Sequence, residues 1–136
     1  MTTTTLTRDQ QHDNPMRQHV IINGRDLYLD VPAQYGGSDS APTPHDFVDA
    51  AVAACKAITI RMVAAKRGIP LQDVNITLES DASQEHQGRY TMDIRIELVG
   101  DLDEKQRQML LHAAEQCPTG KLLTEADVSI NASLVE

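Results

Sequence analysis

The sequence has no tryptophan, one phenylalanine and three tyrosines, too little aromatic surface for a platform on which nucleobases stack. Positive charge is scarce as well: 12 Lys+Arg stand against 20 Asp+Glu, a net charge of -8. A phosphate backbone would be repelled where counterion release requires attraction, so nucleic acid is excluded as a partner. Long apolar runs are missing. The longest uncharged one, Ala50 to Cys55, ends at Lys56, far short of the roughly 20 residues a membrane span needs. The opening MTTTTLTRDQ lacks both a basic and an apolar leader region, which predicts a cytoplasmic protein. The two cysteines, Cys55 and Cys117, lie 62 positions apart, so neither a CxxC motif nor a zinc knuckle forms locally. His12, His19, His86 and His112 show no ligand spacing, and Gly36-Gly37 follows no strand with a phosphate-binding pattern; no metal and no cofactor are expected.

What remains is an ordinary globular composition, 40% hydrophobic and 24% charged over 136 residues, the size of one core and hence one domain, 1–136. Residues 1–15 read as a mobile arm or an edge strand. His19–Ile22 and Asp26–Val31 flank Asn23-Gly24, the dipeptide of a two-residue type I′ hairpin turn. In the second strand Leu27, Leu29 and Val31 alternate with polar neighbours, predicting one buried face. Gln34 to Pro42 is a loop by its Gly, Ser and Pro content. Further on, Val74, Ile76 and Leu78 alternate with polar neighbours, Tyr90, Met92, Ile94, Ile96 and Leu98 do the same, and the two runs make a second hairpin; Val128, Ile130, Ala132 and Leu134 alternate as a final strand.

A long helix starts at Thr43-Pro44-His45-Asp46, where Thr43 caps, Pro44 suits the first helical position and Asp46 meets the positive end of the dipole. It stops at Gly68 and Pro70, behind Lys66 and Arg67. At roughly 36 Å and apolar almost all round its middle, it needs more cover than a small monomer supplies, which argues for a homodimer with the interface along Ala50, Ala51, Ala53 and Ala54. A second helix opens with Asp103 as cap and Gln106 three residues on. Pro118 ends or kinks it at Cys117, with a short helical turn following to Leu123. The order β-β-α-β-β-α-β is α+β, with mostly antiparallel sheets built from hairpins around a long central helix.

The Gly36-Gly37 loop, the run Pro42 to Ala53-Ala54-Cys55 on the central helix, and Leu110 to Cys117-Pro118 downstream resemble the OsmC/Ohr family, named for osmotically inducible protein C and organic hydroperoxide resistance protein. The resemblance covers Gly36 to Glu136. It implies an intertwined homodimer with active sites at the subunit interface, in which organic hydroperoxides are reduced by Cys55 as nucleophile and Cys117 as resolving thiol, with a dithiol as reductant. Where the peroxidase branch places a glutamate, ten residues before the first cysteine, this sequence has His45, with Asp46 beside it. Ten helical residues span about 15 Å, so His45 and Asp46 would act on the partner subunit's thiol. Arg17 and Arg25 flank the first hairpin strand, and neither matches the family's catalytic arginine. These departures point to a divergent OsmC-like branch.

Two thiols suffice for the chemistry without metal: a thiolate attacks O–O, and the resulting sulfenic acid condenses with the second thiol. The residues alone leave open which thiol attacks. Cys55 sits three turns into a helix, where the dipole has faded and an external cation would be needed; Cys117 before Pro118 could cap the following helix and gain acidity there. They also leave open a non-catalytic small-molecule-binding dimer in which both cysteines are structural, since free cysteine is commonly core filler.

Overall fold

A computed structural model describes residues 1–135, and the chain divides after Val48 into two compact units. The first is an antiparallel meander of β1 (Thr4–Arg8), β2 (Gln18–Ile22) and β3 (Arg25–Leu29) in the order β1-β2-β3. The Thr-rich start is thus an edge strand, with Leu6 opposite Val20. Asn23 and Gly24 turn the β2-β3 hairpin with φ of 49° and 79°, the left-handed pair that a type I′ turn demands. The predicted buried face of β3 does not form here. Leu27 stays 36% exposed and Val20 is the buried apolar residue of the sheet, because a three-stranded meander buries a face only against a second layer.

After β3 the chain closes a polar loop on Asp30, whose carboxylate is fully buried. It accepts from the Ser38 hydroxyl at 2.5 Å, the Ser40 hydroxyl at 2.7 Å and the Ser40 and Val31 amides at 3.0 and 2.8 Å. These donors hold its pKa well below 3.8 against the opposing effect of burial. The helix α1 (Pro44–Arg67) begins and ends where its sequence signals lie. Thr43 Oγ1 accepts from the Asp46 amide at 3.1 Å and Asp46 Oδ2 from the Thr43 amide at 2.9 Å, a reciprocal cap.

In the second unit β4 (Leu71–Asp81) and β5 (Thr91–Gly100) pair antiparallel, setting Val74 opposite Leu98, Ile76 opposite Ile96 and Leu78 opposite Ile94. Polar neighbours point the other way, as alternation requires. Next comes α2 (Glu104–Glu115), opened by the Asp103–Gln106 capping box, then α3 (Pro118–Thr124). Ile60 and Ala64 of α1 and Leu110 and Ala114 of α2 form the core, flanked by Ile69, Leu71, Val74, Ile96, Leu98 and Leu102. The expected final strand over Val128–Leu134 is absent. Residues 126–135 have no regular structure and Ile130 is 88% exposed. The alternation is that of a strand, but a strand needs a second backbone to take its N–H and C=O groups, and none pairs with it among the described residues. No helix among them is long and apolar enough to cross a membrane.

Candidate active site

The second unit brings both cysteines together. Cys55 lies in the middle of α1, half-buried, while Cys117 sits at the elbow between α2 and α3 and is 0% exposed. The elbow follows from the sequence. Pro118 has no amide hydrogen to continue α2 and its ring pushes Cys117 out of helical conformation, to φ -63° and ψ 133°. Pro118 then occupies the first position of α3, and Cys117 becomes its cap, Sγ accepting from the Gly120 amide at 3.3 Å. Both thiols are free, and the Cys117 side chain is among the groups that bear on the Cys55 thiol.

Burial pushes the Cys55 thiol up, yet hydrogen bonds outweigh it and hold the group below its ordinary value of 9.0. The Thr119 hydroxyl and then the Thr119 amide are the strongest donors, ahead of Thr59 and Cys117. Thr59 already gives its one hydroxyl proton to the Cys55 carbonyl at 2.7 Å, so Thr119 is the donor that matters. The first turn of α3 therefore serves both sulfurs, with the Gly120 amide on Cys117 and Thr119 on Cys55. Beside them the Lys56 ammonium donates to the Ala114 carbonyl, in the last turn of α2, at 2.9 Å. Among the described residues no cluster of His, Cys, Asp or Glu is arranged to hold a metal ion.

The OsmC-like protein family model matches residues 37–133, a span that includes both cysteines and the elbow. The chain belongs to the OsmC family. Among solved structures it is similar to the organic hydroperoxide resistance protein OsmC of Legionella pneumophila, at 25% identity and a TM-score of 0.64 over 92% of this chain and 90% of that one. An OsmC-like protein of Mycoplasma pneumoniae superposes with a TM-score of 0.72 at 14% identity, covering 100% of this chain and 98% of that one. The organic hydroperoxide resistance protein OhrB of Bacillus subtilis gives 0.54 at 22% identity, over 92% and 91%. No curated protein sequence matches the chain. The α+β fold expected from the hairpins and the central helix is thus that of the OsmC family, two antiparallel sheets with three helices.

The remaining sequence candidates lie in the first unit. His45 is exposed in the first turn of α1. Asp46 beside it is engaged in the cap with Thr43. Arg17 is held by Asp9 at 2.8 Å and by the Ser40 carbonyl and hydroxyl, both at 2.8 Å; Arg25 is exposed next to the turn. Sequence reasoning missed Thr119 and Lys56. Cys-Pro-Thr was a readable signal for Thr119, since a proline at the first helical position places the next residue's amide and side chain at the mouth of the cap. Lys56 gave none: adjacent helical residues face different directions, and only the packing of α2 on α1 brings its long side chain round to the elbow.

Proposed function

We propose that this OsmC-family chain is a cysteine-based peroxidase that reduces organic hydroperoxides, with Cys55 as nucleophile, Cys117 as resolving thiol and a dithiol as reductant. The observation that carries the reading is a partly buried Cys55 whose thiol is held below its ordinary value, with Thr119 and the buried Cys117 thiol among the groups that act on it. In the first step Cys55 Sγ attacks the distal peroxide oxygen: an S–O bond forms, O–O breaks, sulfur is oxidised and the alkoxide leaves to take a proton as the alcohol. In the second, Cys117 attacks the sulfenic sulfur and hydroxide leaves as water, giving the disulfide that the dithiol returns to two thiols. The names of the Legionella and Bacillus relatives support this substrate class.

The working unit in this reading is a homodimer. Ala51, Ala54, Ile58 and Met62 form an exposed stripe along α1 at spacings of three and four, the last two 59% and 66% exposed. Cys55 borders that stripe, so a second copy laid along it covers the apolar face and encloses the thiol. His45 and Asp46 of the partner subunit are then the first-turn groups in range. One equivalent of cumene hydroperoxide added to reduced protein should produce a Cys55–Cys117 disulfide, seen by intact mass as the loss of two hydrogens with no thiol left to titrate. Cys55→Ser should consume none; turnover by that variant at the parent rate refutes the mechanism.

The complete burial of Cys117 and the commitment of Arg17 to Asp9 and Ser40 favour a second reading, a small-molecule-binding dimer whose cysteines are structural. It requires both thiols to stay unmodified under the same hydroperoxide challenge.

A further inference from the structure

Gly120 stands out among the glycines. Gly24, Gly36, Gly68, Gly88 and Gly100 adopt positive φ, where a side chain would be strained. Gly120 does not. It lies within α3, a setting in which alanine is the better residue by about 1 kcal/mol, so its backbone gives no reason for glycine. Its surroundings do. A Cβ at 120 would stand 2.9 Å from Cys117 Sγ and 3.8 Å from Lys56 Nζ. The first distance is inside van der Waals contact, and the cheapest relief is rotation of the Cys117 side chain. That rotation takes Sγ off the Gly120 amide and out of the orientation in which it bears on Cys55. Lys56 reaches the same point from the other side. Anchored through α1 one residue after Cys55, its ammonium holds the Ala114 carbonyl at the end of α2, and the Cys117 amide also donates to that carbonyl at 3.4 Å.

We infer that Lys56 and Gly120 are positioning residues for the second thiol, Lys56 clamping the α2-α3 elbow to the helix that carries Cys55 and Gly120 leaving the clearance in which Cys117 Sγ faces it. Neither touches the peroxide. Their contribution falls on the resolving step, in which Cys117 Sγ bonds to the sulfenic sulfur of Cys55 and hydroxide departs. The inference rests on the peroxidase reading for its role in turnover, while the geometry can be tested apart from it.

The test follows the two half-reactions in the full-length protein. Lys56→Met and Gly120→Ala should consume one equivalent of cumene hydroperoxide within about twofold of the parent rate, yet form the disulfide at least about tenfold more slowly, a barrier increase of about 1.4 kcal/mol. A dimedone adduct of Cys55 should therefore accumulate in both variants and not in the parent. Lys56→Arg should restore fast resolution, because it keeps the cation and the reach; Gly120→Ala should still unfold in one cooperative transition, because alanine's better fit to α3 offsets part of the strain at Cys117. Disulfide formation at the parent rate in either variant overturns the assignment of that residue, as does failure of arginine to rescue position 56. Diamide provides the arm that needs no peroxide, since it oxidises two apposed thiols directly. If the parent ignores hydroperoxide but is oxidised by diamide faster than both variants, the positioning inference stands and the peroxidase reading falls; equal diamide rates overturn the inference.

Discussion

Replacing Thr119 with valine keeps the shape of the residue and its backbone amide but removes the hydroxyl that is the strongest hydrogen-bond donor to Cys55. A hydrogen bond to an ionised group contributes about 1.5–3 kcal/mol when fully buried; at a half-exposed thiolate, where water takes over part of the donation, about 1 kcal/mol is the appropriate figure. Losing it raises the Cys55 pKa relative to the parent and lowers the thiolate fraction about fivefold at any pH well below the midpoint. The remaining thiolate is more basic and so a better nucleophile. With a Brønsted coefficient of roughly 0.4–0.5 it recovers about twofold. Thr119→Val should therefore react two- to threefold more slowly, on the order of the quotient of these two effects, at neutral pH. At alkaline pH, where both proteins are fully ionised, only the gain in nucleophilicity survives and the variant should be about twofold faster. Stopped-flow consumption of one equivalent of hydroperoxide across the pH range measures this directly, with Thr119→Ser expected to follow the parent. A rate ratio that stays constant with pH, with no crossing, would show that the hydroxyl does not act on the ionisation of Cys55.

Asp30 has its pKa depressed in the folded chain, so as pH falls the unfolded chain binds a proton first. The stability it contributes is complete above its ordinary 3.8 and is lost as pH falls through the lower folded value; Asp30→Asn should reduce stability at neutral pH and flatten the acid-unfolding curve below that point in circular dichroism titrations. Leu110→Ala opens a hole in a fully buried position beside Ile60 and should cost about 3 kcal/mol, a fall of about 10 °C in melting temperature by calorimetry. Sedimentation at micromolar concentration should show dimer alone, and Ala54→Trp, on the exposed α1 stripe, should both weaken the dimer and slow the peroxide reaction; a stable, fully active monomer removes the case for a shared site.

The parts of the fold that could be read in the sequence are those decided by local chemistry. Asn23-Gly24, the Thr43 and Asp103 caps, and the break at Cys117-Pro118 each require a particular backbone within three or four residues, and each is found in place. The Val74–Leu98 hairpin was legible because alternation on two strands reinforces itself through register. Val128 to Leu134 shows the limit of that reasoning. Alternation states which face would be buried, whereas pairing depends on a partner backbone that the sequence does not name. At the site, both sulfurs and the cap at Cys117 were legible. The residues of the elbow direct the acidifying donors of α3 to Cys117 alone, whereas Thr119 also lowers the Cys55 thiol, a consequence of how α1 crosses the elbow and not of any spacing within α3.

The unequal exposure of the two sulfurs also determines how such a protein wears out. On the peroxidase reading, a partly exposed Cys55, once a sulfenic acid, would remain open to a second peroxide and thus to the sulfinic state that thiols do not reverse. Cys117, sealed from solvent, would on that reading meet no peroxide of its own and compete for the sulfenic sulfur only as an intramolecular neighbour, an arrangement that acts like a very high local concentration. Terminal damage should then gather on one sulfur, and the dose of hydroperoxide needed to inflict it measures how quickly the elbow delivers the other.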